Sequence, residues 1–202
     1  MTEAKKLPVM EAFYTIQGEG YFQGSAAYFI RLAGCDIGCH WCDVKESWDV
    51  NKHPLLAVDD IVSEASKYPS RIAVITGGEP LMHNLSYLTE TLHKFGFRTH
   101  IETSGAYPIT GNWDWICLSP KKFKEPLPEV CSAADELKAI IFNNSDFLFA
   151  DTYKNLVKSN CKLFLQPEWD KQAEILPTII EYVKQHTIWK VSLQVHKYML
   201  IP

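Results

Sequence analysis

Apolar residues recur along this chain in two alternating rhythms. Short runs rich in β-branched and aromatic residues, at 26–32, 71–76, 98–102, 115–119, 136–141, 161–166 and 191–194, read as strands. Between them, 58–67, 85–95, 146–159 and 171–185 read as helices. In 58–67, Val58, Ile61, Val62 and Ala65 share one face, and in 85–95 Leu85, Leu88, Leu92 and Phe95 do the same; both stripes are expected to pack a core. Asp59 and Asp60 fall in a first turn, where the helix dipole favours negative charge. Strands separated by helices imply parallel βαβ units. With no repeat, low-complexity stretch or linker, the pattern predicts an α/β fold, one partial (incomplete) TIM-like barrel of mostly parallel strands with outer helices.

Ligands of such folds bind at the carboxyl ends of the strands. Here the predicted ends carry Gly34-Cys35, Thr76-Gly77-Gly78-Glu79, Glu102-Thr103-Ser104, Ser119-Pro120-Lys121, Gln166-Pro167-Glu168 and Gln194-Val195-His196. A shared barrel mouth would gather these polar and glycine-rich groups on one rim.

The length of 202 residues suits a single domain over 1–202. A net charge of −4 gives no electrostatic footprint for nucleic acid, and the densest basic patch, Lys121, Lys122 and Lys124, suits a local anion contact or a solvated loop. The start, Met1-Thr2-Glu3-Ala4-Lys5-Lys6, lacks the apolar stretch of a signal peptide, and apolar runs such as Ala73-Val74-Ile75 are too short to span a bilayer. A cytoplasmic protein with no membrane partner is expected. Cys117, Cys131 and Cys161 are scattered among apolar residues and read as small core side chains.

The other three cysteines crowd into Cys35-Asp36-Ile37-Gly38-Cys39-His40-Trp41-Cys42. Thiolates so close repel one another, and a metal centre removes that cost. Gly34 and Gly38 let the loop wrap a cube-shaped cluster. Three thiolate ligands on a four-iron cluster leave one iron open to an amine and a carboxylate. A structural zinc would want a fourth protein ligand, and His40 is too near Cys39 and Cys42 for common zinc spacing, so only a distant residue could supply it. From spacing alone, iron–sulfur, zinc and unrelated thiols all stay open.

The triad, with Trp41 before its last cysteine, resembles the signature of the radical S-adenosylmethionine superfamily, and Thr76-Gly77-Gly78-Glu79-Pro80 looks like that superfamily's GGEP motif after a strand. Phe13-Tyr14-Thr15-Ile16-Gln17-Gly18-Glu19-Gly20 resembles the TxQGEG segment of the 7-carboxy-7-deazaguanine synthase family. Phe29-Ile30-Arg31-Leu32-Ala33-Gly34-Cys35, Ile101-Glu102-Thr103-Ser104-Gly105, Ser119-Pro120-Lys121 and Glu136-Leu137-Lys138 are similar to segments of that family too. The ending, Ser192-Leu193-Gln194-Val195-His196-Lys197-Tyr198-Met199-Leu200-Ile201-Pro202, resembles its SxQxHKYxxIP terminus. The likeness runs from about residue 11 to residue 202.

The resemblance implies a radical S-adenosylmethionine core and a lyase that rearranges 6-carboxy-5,6,7,8-tetrahydropterin to 7-carboxy-7-deazaguanine with loss of ammonia, on the route to queuosine in transfer RNA. A reduced cluster would cleave S-adenosylmethionine to a 5′-deoxyadenosyl radical that takes a hydrogen from the pterin. No side chain is then required as a catalytic group. Cys35, Cys39 and Cys42 would hold one [4Fe–4S] cluster per subunit. Trp41, Cys42, Asp43, Gly78, Glu102, Ser104, Ser119, Pro120, Lys121, Gln166, Pro167, Glu168 and Trp169 would meet S-adenosylmethionine. Ile16, Gln17, Gly18, Arg31, Thr76 and the carboxylate of Pro202 would meet the pterin, with the C-terminal tail closing the site.

Arg31 offers a planar fork for the substrate carboxylate, or else a strand-end salt bridge. His196 could touch substrate or serve structure. The family often has a Mg²⁺-ligating Thr where this chain has Val44, which carries no side-chain oxygen. Either Mg²⁺ binds through substrate, water and Asp43, or it is not needed. The implied partners are the pterin, a flavodoxin- or ferredoxin-type electron donor and a second subunit in a homodimer, with 147–149 as interface or core. Two rivals remain, a radical activase of a glycyl-radical enzyme and a non-catalytic zinc-binding module.

Overall fold

Seven of the nine strands run parallel, each hydrogen-bonded to the next, in a computed structural model that describes residues 5–202. The polar start over Met1–Ala4 lies outside the described residues. β1 (Lys6–Ile16) pairs antiparallel with β2 (Ala26–Leu32), and the short β3 (Leu55–Ala57) pairs antiparallel with the start of β1. From β2 onward the sheet continues in parallel through β4 (Ile72–Gly77), β5 (Arg98–Thr103), β6 (Trp115–Leu118), β7 (Glu136–Ile141), β8 (Lys162–Pro167) and β9 (Trp189–Val191). The order β3-β1-β2-β4-β5-β6-β7-β8-β9 leaves two ends unjoined, so the barrel is open. The expected α/β partial barrel is what the chain forms.

Helices α1 (Val58–Ala65), α2 (Ser86–Lys94), α3 (Pro128–Ala133), α4 (Ser145–Lys154) and α5 (Gln172–Gln185) connect strands, and α6 (Val195–Met199) closes the chain. The side-chain period of two along each strand sends alternate residues outward under the helices and inward to the barrel axis. Outward, Ile30, Ile75 and Ile101 meet α1 and α2 in one core, and Leu137, Ala139 and Ile141 join α4 and α5 in a second. Inward, β7 presents Glu136, Lys138 and Ile140, while β5 presents His100 and Glu102. Cys117, Cys131 and Cys161 are buried, as expected of core cysteines. Phe147 is buried on α4, whereas its neighbour Leu148 is 76% exposed. Among the described residues no helix is long and apolar enough to cross a membrane.

Four expectations need correction. β1 is the longest strand, at 11 residues, and was not among the predicted strands. The strand expected at 191–194 ends at Val191, after which the chain turns into α6. The helix expected over 146–159 stops at Lys154, where the Asn155 and Leu156 amides bond three residues back, to the Thr152 and Tyr153 carbonyls at 3.3 and 2.9 Å, instead of four. Finally, α3 lies in a segment where no helix was expected.

Candidate active site

The cysteine loop leaves β2 and is fastened on several sides. The Gly34 amide donates to the Ser47 carbonyl at 2.7 Å, and the Cys35 amide to the Trp48 carbonyl at 3.3 Å. The Glu79 amide donates to the Gly34 carbonyl at 2.8 Å. His83 Nε2 lies 2.7 Å from the Ala33 carbonyl, which can only accept, so this nitrogen carries a proton. Further along, Asp36 accepts from the Tyr107 hydroxyl at 2.5 Å and from Lys124 at 2.9 Å, and both partners hold its carboxyl below the usual range. Ile37, Cys39 and Ala106 pack together under Trp41 and Tyr107.

Cys35, Cys39 and Cys42 thus line one wall of a cavity of about 260 Å³ at the carboxyl ends of the strands. Burial pushes the Cys35 and Cys39 thiols up; at Cys35, Glu79 and Cys42 push the same way, while Lys121 opposes the rise at Cys39. Bare thiolates are therefore disfavoured here, and a cationic metal body is what would stabilise them. His40 is exposed and its ring meets Phe123 and Phe142 edge-on, each at 5.6 Å, so it turns away from the thiols. Among the described residues no three Cys, His, Asp or Glu side chains are drawn together round a single metal ion, so the three thiols suit a larger cluster with one open iron better than tetrahedral zinc. Gly78 lies against the same loop, where a Cβ would run into the Gly34 carbonyl and Cys35 Cβ. Only glycine fits there, and its backbone faces the cavity.

The same cavity gathers nearly all the residues expected at S-adenosylmethionine: Trp41, Cys42, Asp43, Gly78, Glu102, Ser104, Ser119, Lys121, Gln166, Pro167, Glu168 and Trp169. Pro120 is buried but does not line it. Several of these side chains already have protein partners. Lys121 donates to the Ser119 carbonyl and hydroxyl at 2.9 and 2.6 Å and lies 5.4 Å from the Trp41 ring centre. Ser104 gives its amide and hydroxyl to Glu79, and Glu168 accepts from the Lys171 amide. Gln166 accepts from Ser192 at 2.7 Å, and Asp43 from Lys197 at 3.0 Å.

The residues expected at the pterin, Ile16, Gln17, Gly18, Arg31, Thr76 and Pro202, also face this cavity. Arg31 Nε donates to Glu11 at 2.6 Å, so the strand-end salt bridge does form, and the two terminal amino groups of the guanidinium remain. Gln17 Nε2 donates to Glu102 at 2.9 Å, which sets Glu102 between the two groups of residues.

Motifs at opposite ends of the sequence meet here. The Gly20 amide donates to Ser192 Oγ at 2.9 Å, Gln194 donates to Glu19 at 3.0 Å, and the Val195 amide donates to the Gly18 carbonyl at 2.9 Å. A Cβ on Gly18 would strike the His196 ring. Alternate residues 192, 194 and 196 thus read 20, 19 and 18 in turn. Thr15 Oγ1 donates to a main-chain oxygen of Pro202 at 3.3 Å.

Sequence reasoning gave no role to Glu19, Lys138 or Gln194, all of which line the cavity. Lys138 is 4% exposed and bridges Glu19 and Glu102. Burial raises the Glu19 carboxyl, but the Lys138 ammonium overrides this and holds it at about 2. The same two carboxylates keep the ammonium charged although burial opposes it. The sequence carries no local signal for this, because β7 also holds the charged Glu136 and the two partners of Lys138 come from elsewhere in the chain.

Comparisons with known proteins place the chain among relatives. The family model described as the radical SAM superfamily matches residues 29–118. A protein of Flavobacterium psychrophilum named 7-carboxy-7-deazaguanine synthase is 56% identical over 200 residues, covering 99% of this chain and 95% of that one. A Synechocystis protein of the same name is 46% identical, covering 95% and 92%. The crystal structure of QueE from Escherichia coli superposes with a TM-score of 0.85 at 31% identity, covering 93% of each chain.

Proposed function

The chain belongs to the 7-carboxy-7-deazaguanine synthase family of the radical S-adenosylmethionine superfamily, and from that premise we propose which of its residues do what. It is a lyase that converts 6-carboxy-5,6,7,8-tetrahydropterin to 7-carboxy-7-deazaguanine with loss of ammonia, in queuosine biosynthesis. It uses a [4Fe–4S] cluster and S-adenosylmethionine, and it takes electrons from a donor. The rival readings, an activase and a zinc module, fall with that membership.

Cys35, Cys39 and Cys42 hold the cluster. Bound there, the cluster and S-adenosylmethionine supply a carbon radical able to take hydrogen from the pterin. Gly78, Ser104, Ser119, Lys121 and Gln166, with Trp41, Asp43 and the 167–169 segment, hold S-adenosylmethionine; Glu102, which the resemblance groups with them, is assigned to the pterin side instead because it accepts from Gln17 at 2.9 Å. Ile16, Gln17, Gly18, Thr76 and Arg31 hold the pterin, Arg31 through its free amino groups and the substrate carboxylate. Holding both molecules in one walled cavity fixes the reacting atoms and keeps water from the radical. The observation that carries this division is that Arg31, the Gln17–Glu102 pair and the three thiols face one cavity. Anaerobic incubation of reconstituted protein with carboxypterin, reductant and S-adenosylmethionine tests it by product mass. Unchanged pterin beside an intact cluster would overturn it.

Residues 1–202 act as one domain whose C-terminal tail closes the substrate side, a reading supported by the 192–196 segment lying on the 18–20 turn. Pro202, in that tail, is assigned to the pterin because it lines the same cavity as Ile16, Gln17 and Gly18.

Turnover here needs no Mg²⁺ on residue 44, since Val44 offers no oxygen and Lys197 already sets a cation against Asp43. Chelation of Mg²⁺ is expected to leave turnover unchanged, and a loss that added Mg²⁺ restores would contradict this. A flavodoxin- or ferredoxin-type protein is the donor, and a reducing cytoplasm suits the six free cysteines. A homodimer is supported by large apolar side chains left exposed, Leu148 on α4, Leu156 in the turn after it and Ile180 on α5. Sedimentation velocity should give twice the chain mass, and a monomer at micromolar concentration would refute it.

A further inference from the structure

Lys138 has two side-chain partners, both carboxylates: Glu19 on the turn after β1 and, at 3.5 Å, Glu102 on β5. Each carboxylate spends its second oxygen on a glutamine amide. Glu102 Oε1 accepts from Gln17 at 2.9 Å, and Glu19 Oε1 accepts from Gln194 at 3.0 Å. A carboxylate accepts only, so each glutamine must turn its NH₂ group toward it, and each amide oxygen is thereby aimed elsewhere. Gln17 Oε1 accepts from the Glu19 amide at 3.1 Å, and Gln194 Oε1 accepts from Lys197 at 3.2 Å. One buried ammonium therefore orients a chain of groups from β5, through the turn at 17–19, to the C-terminal helix.

Without that ammonium, two carboxylates would face each other across the barrel floor, where burial gives them little solvent screening. They would separate or bind a proton, and Gln17 would lose the partner that orients it. The oxygens of Glu102 and Glu19 are acceptors, which suit a ligand edge rich in N–H donors. Resting on the assignment of Gln17 to the pterin above, we infer that Lys138 is a positioning residue for pterin recognition, holding Glu102 and Gln17 so that their acceptor and donor atoms face the aminopyrimidinone edge.

The test uses reconstituted holoenzyme with Lys138→Met. The pterin KM should rise about tenfold, as for one misaligned charge-assisted hydrogen bond. The KM for S-adenosylmethionine, and its reductive cleavage without pterin, should stay at wild-type values. A merely structural lysine would lower the active fraction, and with it the apparent kcat, without separating the two KM values. Should Lys138→Met fail to fold, the double variant Lys138→Met, Glu19→Gln decides, because it removes one charge of each sign and still leaves Glu102 without its ammonium. A wild-type pterin KM in either folded variant overturns the inference. Failure of the wild-type enzyme to convert the pterin would instead count against the family reading on which it rests.

Discussion

Replacing Cys39 with alanine is expected to give a folded chain that retains no iron after anaerobic reconstitution and turns over no pterin. Two thiolates cannot hold a four-iron cluster that normally has three or four. Cys39 is the most buried of the three, at 7% exposure, so water or a buffer thiol has poor access to replace it. The loop should nevertheless stay in place, because its fastenings do not involve sulfur. Asp36 keeps Tyr107 and Lys124, the Gly34 carbonyl keeps the Glu79 amide, and the Cys35 amide keeps the Trp48 carbonyl. Unfolding of the apo-proteins should then differ by only about 1 kcal/mol, a common size for a single substitution. Cys131→Ala is the control. That thiol is buried in the second core, away from the cavity, so the variant should lose some stability but keep iron and activity. Near-stoichiometric iron in Cys39→Ala would refute the ligand set.

The rim of the barrel is legible in the sequence because strand ends are chemically conspicuous. In a parallel βαβ sheet they must meet, so glycines, hydroxyls and carboxylates there point to a site wherever they fall in sequence. β1 was harder to see. Pro8 sits inside it, and a bulge between Val9 and Glu11 shifts the register, so the alternation of buried and exposed residues breaks midway. The segment 191–194 does alternate with a period of two, but it spends that alternation on a turn rather than a sheet. Ser192 and Gln194 reach Gly20 and Glu19, contacts more than 170 residues away in sequence. Lys138 escaped because its neutralising partners come from β5 and from the turn after β1. Nothing local in Glu136-Leu137-Lys138 says that the amine is indoors.

Glu79→Ala is expected to lower the thermal midpoint of the apo-protein by about 10 °C, the counterpart of about 3 kcal/mol in a chain of this size. Glu79 is 1% exposed and belongs to the GGEP segment, yet its side chain turns inward. It accepts from the Leu81 amide at 3.0 Å, Thr103 Oγ1 at 2.6 Å, and the Ser104 amide and hydroxyl at 2.8 and 2.5 Å. One carboxylate thus ties the loop after β4 to the end of β5. Alanine leaves the two buried amides without acceptors and opens a small void beside them; the hydroxyls can rotate to other partners, but the amides cannot. Each orphaned buried donor costs about 1–3 kcal/mol. Glu79→Gln should fall between alanine and wild type, since its one oxygen still accepts while its NH₂ group confronts a donor. Loosening Ser104 should also weaken S-adenosylmethionine binding in the loaded enzyme, with the pterin KM less affected because Gln17 and Glu102 keep their own contacts. Calorimetry on the three apo-proteins gives the test: a midpoint for Glu79→Ala within about 2 °C of wild type, under 1 kcal/mol on the same scale, would show that this carboxylate does not staple the two strand ends.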